Sequence, residues 1–193
     1  MKTAQMLALA MLLGSIPFGH IALRLRGRTK GPVPGPEGTL QALGFGWMTI
    51  VLILNAAKGF VPVYFAKAGL GSETIIAIAG AFAVLSHCFP YWLMFRLAGK
   101  GTSVGFGVLL ALSPIAGLCA FVMWIAILLA HDRVSVASMV AALSAPVWCI
   151  IFRLPHPYLW LSLGACAFIL AMHWSNLTKI GDGTEPRLRH GKE

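Results

Sequence analysis

The sequence predicts an all-α integral membrane protein of about seven helices, two of them short and meeting near Pro114, and three observations carry that prediction. Of its 193 residues 58% are hydrophobic and only 11% charged, and the mean hydropathy is +0.81. A soluble domain of this size has too little interior to hide so much apolar surface, whereas lipid solvates it. The apolar residues also fall into runs long enough to cross a bilayer, and the basic residues gather in short clusters beside those runs. The net charge of +9 therefore reads as a topology signal and not as a nucleic-acid surface, which would show a basic stripe with interleaved aromatics.

In chain order, the first span covers roughly residues 4–24. It runs past Gly14-Ser15-Ile16-Pro17-Phe18-Gly19 without a small-x-small cleavage site, so it reads as an uncleaved helix. Arg24, Arg26, Arg28 and Lys30 follow it and place that end in the cytoplasm, with the N-terminus outside. Gly31 to Gly38 holds three prolines and reads as a loop. Spans follow at about 47–66, carrying Asn55 and Lys58, and at about 73–95, carrying His87 and Pro90.

Residues 105–130 are apolar but interrupted by Ser113-Pro114 and Gly117, and charge decides how they cross. If they cross once, 7 basic residues lie inside and 7 outside; if they enter and return, 11 lie inside and 3 (Lys2, Lys67, Arg153) outside. The second split obeys the positive-inside rule, hence two short helices here. The last spans, about 134–152 and 157–176, lead to a polar tail from Lys179 to Glu193 expected in the cytoplasm. The expected organisation is a single multi-pass domain over 1–193. The four cysteines show no CxxC spacing, so they read as small apolar fillers and no metal site is expected.

This topology gathers four polar segments on one membrane face: 24–46, 96–103, 131–138 and 173–176. Gly99-Lys100-Gly101 is the most distinctive, because a lysine between two glycines brings an ammonium and bare backbone N–H groups close to an anion. His173 and Asn176, three apart, share a helix face. With Ser138 they form a donor set suited to a phosphorylated, hydroxylated small molecule. Residue by residue, each also fits a plain interfacial helix end. His87 is expected to shape its helix by bonding to a neighbour, and Asn55 and Lys58 to make interhelical contacts or to snorkel. There is no Gly-x-Ser-x-Gly elbow, Walker loop or His-x4-Asp motif.

Seven short motifs in order, namely Gly14 to Gly19, Lys58-Gly59, His87 with Phe89-Pro90, Gly99-Lys100-Gly101, Arg133 to Ser138, His173-x-x-Asn176 and Gly183-Thr184-Glu185-Pro186, make the chain resemble the bacterial acyl-phosphate:glycerol-3-phosphate acyltransferase (PlsY) family. The resemblance implies a seven-helix inner-membrane enzyme that moves a fatty acyl group from acyl phosphate to glycerol 3-phosphate, giving lysophosphatidate for phospholipid synthesis. It implies no cofactor and no obligate protein partner. It assigns Lys100, Gly99 and Gly101 to phosphate and Ser138, His173 and Asn176 to the acceptor, with Ser135, Gly31 and Gln41 as further substrate-binding positions; His173 or a substrate phosphate oxygen takes the proton. The first loop departs from the family pattern. Gly31 stands for a serine, Val33 and Gly38 for asparagines and Gln41 for an arginine, while Asn55 replaces an aspartate. Loss of the arginine removes a bidentate phosphate contact of about 1.5–3 kcal/mol, or roughly ten- to a hundredfold in binding. A catalytically impaired paralogue that binds lipid or a partner is therefore the second expectation, and an anion transporter without the usual repeat the third.

Overall fold

The computed structural model describes residues 3–28, 35–70 and 72–188. Among them the helices are α1 (Thr3–Gly14), α2 (Phe18–Leu25), α3 (Pro36–Leu43), α4 (Phe45–Leu70), α5 (Glu73–Cys88), α6 (Thr102–Leu112), α7 (Pro114–His131), α8 (Val134–Ile151), α9 (His156–Met172) and α10 (Trp174–Gly181). Helix α4 lies along α6, α5 and α1; α7 pairs with α8, which packs on α9, and α5 touches α9.

Five stretches are long and apolar enough to cross a membrane, and α9 with α10, bent by 51°, makes a sixth. The remaining apolar helix, α6, has 11 residues, about 16 Å at 1.5 Å per residue, or roughly half the ~30 Å hydrocarbon layer. The break expected near Pro114 falls at Ser113, whose Oγ accepts the Ala116 N–H while Pro114 opens α7. The two halves are unequal, since α7 has 18 residues and is of full span length.

Other boundaries shift for local reasons. The first span is broken at Ser15-Ile16-Pro17, because Pro17 cannot donate into a continuing helix. The freed Ile16 carbonyl accepts from Lys58 Nζ of α4 at 2.7 Å, and the ammonium lies 5.5 Å from the Phe18 ring centroid. Lys58 is thus an interhelical contact. Helix α5 stops at Cys88, ahead of Pro90, and the chain turns tightly over Tyr91–Leu93. The proline-rich segment is not loop throughout: α3 begins at Pro36, where a missing N–H costs nothing because the first-turn donors have no intrahelical partner. Residues 179–188 of the tail are also structured, since Thr184 N–H bonds Lys179 O and Leu188 N–H bonds Asp132 O at 2.9 Å.

Small residues bring the helices together. A Cβ on Gly107 would run into the Ala56 carbonyl group of α4, and one on Gly59 into Val104 of α6. Helices α4 and α6 therefore touch backbone to backbone. Around them Val63, Ala79, Ala83, Val104 and Val108 form the core. The cysteines are unpaired, with Cys88, Cys149 and Cys166 buried.

Candidate active site

The polar segments converge on one cavity of about 730 Å³, within the range of about 300–1,000 Å³ usual for small-molecule sites. One end is polar and is lined by Gln41, Lys100, Ser138, His173, Asn176 and Glu185; the other is apolar, lined by Leu109, Leu112, Ala142, Ala145 and Ala165. A headgroup and a hydrocarbon chain fit the two ends respectively.

The polar end is built first by the loop before α6. Gly101, at φ +85°, is the N-cap of α6 and provides no capping side chain. Only glycine takes that conformation without strain. The first N–H groups of α6 are left without intrahelical partners beside Lys100, and Thr102 and Ser103 line the cavity with them. Uncapped N–H groups, the positive end of a helix dipole and an ammonium together make an anion site.

The second wall is the bend between α9 and α10. His173 caps both helices and is only 2% exposed. Its Nδ1 lies 2.8 Å from Ile169 O. A carbonyl can only accept, so Nδ1 carries hydrogen, and in the neutral form of the ring the basic nitrogen is Nε2. One turn on, Asn176 Nδ2 donates to Glu185 Oε1 at 2.8 Å. Among the described residues no donor reaches the buried acceptors Asn176 Oδ1 and Glu185 Oε2, a rare state in a folded protein.

Ser138 joins them from α8, its Oγ accepting from Trp124 Nε1 of α7 at 3.3 Å. That leaves the hydroxyl hydrogen to donate elsewhere. Of the other expected residues, Gly99 and Gly101 line the cavity and Gln41 sits at its mouth, exposed. Ser135 does not line it: the residue is fully buried and its hydroxyl has no partner among the described residues, while Val134 and Ser138 form that part of the wall. Gly31 lies outside the described residues. Sequence reasoning gave no role to Glu185 or Trp124; the Gly-Thr-Glu-Pro motif was a signal for the first, and nothing in the sequence for the second. Among the described residues no three His, Cys, Asp or Glu side chains come together to hold a metal.

Residues 4–183 match the family model described as glycerol-3-phosphate acyltransferase. The chain is 37% identical over 185 residues to the glycerol-3-phosphate acyltransferase of Caulobacter vibrioides, covering 92% of this chain and 84% of the relative. It is 32% identical over 192 residues to that of Aquifex aeolicus, covering 97% and 100%. Two crystal structures of PlsY, an integral membrane glycerol 3-phosphate acyltransferase, superpose at 31% identity over 96% of this chain and 94% of theirs. The TM-score is 0.90 for the glycerol 3-phosphate form and 0.88 for the lysophosphatidic acid form. Fold and cavity thus define an integral membrane acyltransferase. The chain belongs to the glycerol-3-phosphate acyltransferase family.

Proposed function

We propose that the protein transfers a fatty acyl group from acyl phosphate to the 1-hydroxyl of glycerol 3-phosphate, releasing inorganic phosphate and lysophosphatidate. The observation that carries this reading is the single cavity with an anion site at one end and an apolar arm at the other. Membership of the family supports the acceptor, and the chemistry of the site supports the donor: an acyl phosphate is already activated, so the enzyme needs chiefly to position two anions.

In this reading Lys100, the backbone at Gly99 and Gly101 and the α6 N-terminus hold the donor phosphate. Ser138 donates to an acceptor oxygen, Asn176 is set by Glu185, and Gln41 contributes at the mouth. Gly31 precedes Gln41 in the same polar sequence segment, 24–46, and Ser135 backs Ser138 within α8. The acceptor hydroxyl oxygen attacks the acyl carbon as His173 Nε2 takes its proton. The carbon–oxygen bond to phosphate breaks and the electron pair leaves with phosphate, which the ammonium stabilises.

The same reading places the site at the cytoplasmic face of a bacterial inner membrane, with the N-terminus outside and the C-terminus inside, since the basic residues cluster there. It needs no cofactor and no obligate protein partner. Purified protein given acyl phosphate and glycerol 3-phosphate should release phosphate and form lysophosphatidate, and Lys100→Ala should abolish both. Binding of glycerol 3-phosphate with no turnover, indifferent to Lys100→Ala, would instead establish the non-catalytic lipid- or partner-binding paralogue.

A further inference from the structure

His87 takes no part in the mechanism above, and its surroundings do not explain why it is a histidine. It sits on the last turn of α5, is 7% exposed and lines the cavity. Its ring occupies the space a side chain at position 99 would fill: a Cβ on Gly99 would lie 2.8 Å from Cε1 and 3.1 Å from Cδ2, and nearer still to Nε2. The loop is drawn over this turn of α5. Ala98 N–H donates to Cys88 O at 3.0 Å, and a Cβ on Gly101 would meet Val84 and Cys88.

An imidazole in that place is not needed for packing, since a leucine fills similar volume. A neutral ring always carries one N–H donor and one lone pair, and buried polar groups are almost always hydrogen-bonded. Among the described residues none hydrogen-bonds this ring. The polar partner it lacks is therefore sought in the cavity, directly under the loop that presents Lys100.

We propose that His87 is a binding residue for the phosphate of the acyl donor, donating its ring N–H to a phosphate oxygen from beneath Gly99. The assignment rests on the reading of the donor as an acyl phosphate. No proton is transferred; His87 supplies a donor that an apolar residue lacks. It also gives position 99 a second reason to be glycine: the ring must lie against the backbone to reach an anion seated there.

The test compares His87→Leu, which fills the space without a donor, with His87→Gln, which keeps an N–H. For His87→Leu the KM for acyl phosphate and the inhibition constant for inorganic phosphate should each rise about tenfold, as for one hydrogen bond to a charged group. The KM for glycerol 3-phosphate should stay within about twofold, and His87→Gln should recover most of the loss. Equal changes in both substrates' KM values, or no recovery with His87→Gln, would overturn the proposal and leave a packing role. Should wild-type protein show no turnover with acyl phosphate, the donor reading fails by itself. Calorimetric binding of inorganic phosphate to wild type and to both variants then still decides whether His87 is part of an anion site, and unchanged affinity in His87→Leu would overturn it.

Discussion

Asn176 and Glu185 are joined by a buried hydrogen bond, Nδ2 to Oε1 at 2.8 Å, which ties α10 to the segment that follows it. The bond commits the amide nitrogen to protein and turns its oxygen elsewhere, as an acceptor. Glu185→Ala leaves that N–H buried and unpaired, which costs about 1–3 kcal/mol. Thermal unfolding in detergent should show the loss, and the KM for glycerol 3-phosphate should rise. Glu185→Gln keeps an acceptor and should retain more stability than the alanine variant.

Ser138 receives the indole N–H of Trp124. Trp124→Phe removes a neutral hydrogen bond worth about 0.5–1.5 kcal/mol, so kcat/KM should fall roughly two- to tenfold. Ser138→Ala should cost more. Equal losses would mean that the Ser138 hydroxyl acts only as the acceptor of the indole N–H and does not donate to substrate.

Gln41 lines the cavity mouth and is exposed. Gln41→Arg adds a bidentate cation beside an anion site, and the KM for a phosphate substrate should fall about tenfold at low salt. The gain should shrink as ionic strength rises, because exposed charges are screened. A salt-independent gain, or none, would show that the residue does not meet substrate.

Gly107 has no room for a methyl group against Ala56. Gly107→Ala should destabilise by at least the ~1–3 kcal/mol typical of overpacking, since backbone and not a flexible side chain must give way. It should also lower activity by shifting the start of α6, which differential unfolding and a turnover assay would separate from simple misfolding.

Lys58→Met should be destabilising although it removes a charge from an apolar helix. The Ile16 carbonyl loses its donor, at about 1–3 kcal/mol. If the variant unfolds at the wild-type temperature, water or another donor reaches that carbonyl.

Much of this was legible in sequence, and the exceptions have physical reasons. Charge parity read the break at Ser113-Pro114, because basic residues mark faces more strongly than length marks spans. The same pattern led to the gathering of Lys100, Ser138, His173 and Asn176, which the cavity brings together. The start of α3 at Pro36 was missed because proline breaks a helix interior but suits its first turn. His87 and Glu185 were given no chemical part because their relevance lies in contacts with Gly99 and Asn176. No spacing rule links positions on different segments. Ser135 was misplaced for a related reason: Val134 and Ser138, four apart, share the face of α8 that lines the cavity, and Ser135 lies to the side of it, fully buried.

The contact between α4 and α6 is made by main-chain atoms at Gly59 and Gly107, so natural variation has no side chain there to enlarge or trim by degrees. Adaptation to longer, shorter or branched chains is thereby channelled to the facing walls, where Ala142, Ala145 and Ala165 line the apolar arm and a carbon or two can be gained without disturbing the opposite end. Diversity among descendants of such a scaffold is expected to accumulate on α8 and α9, while the α4–α6 seam stays frozen.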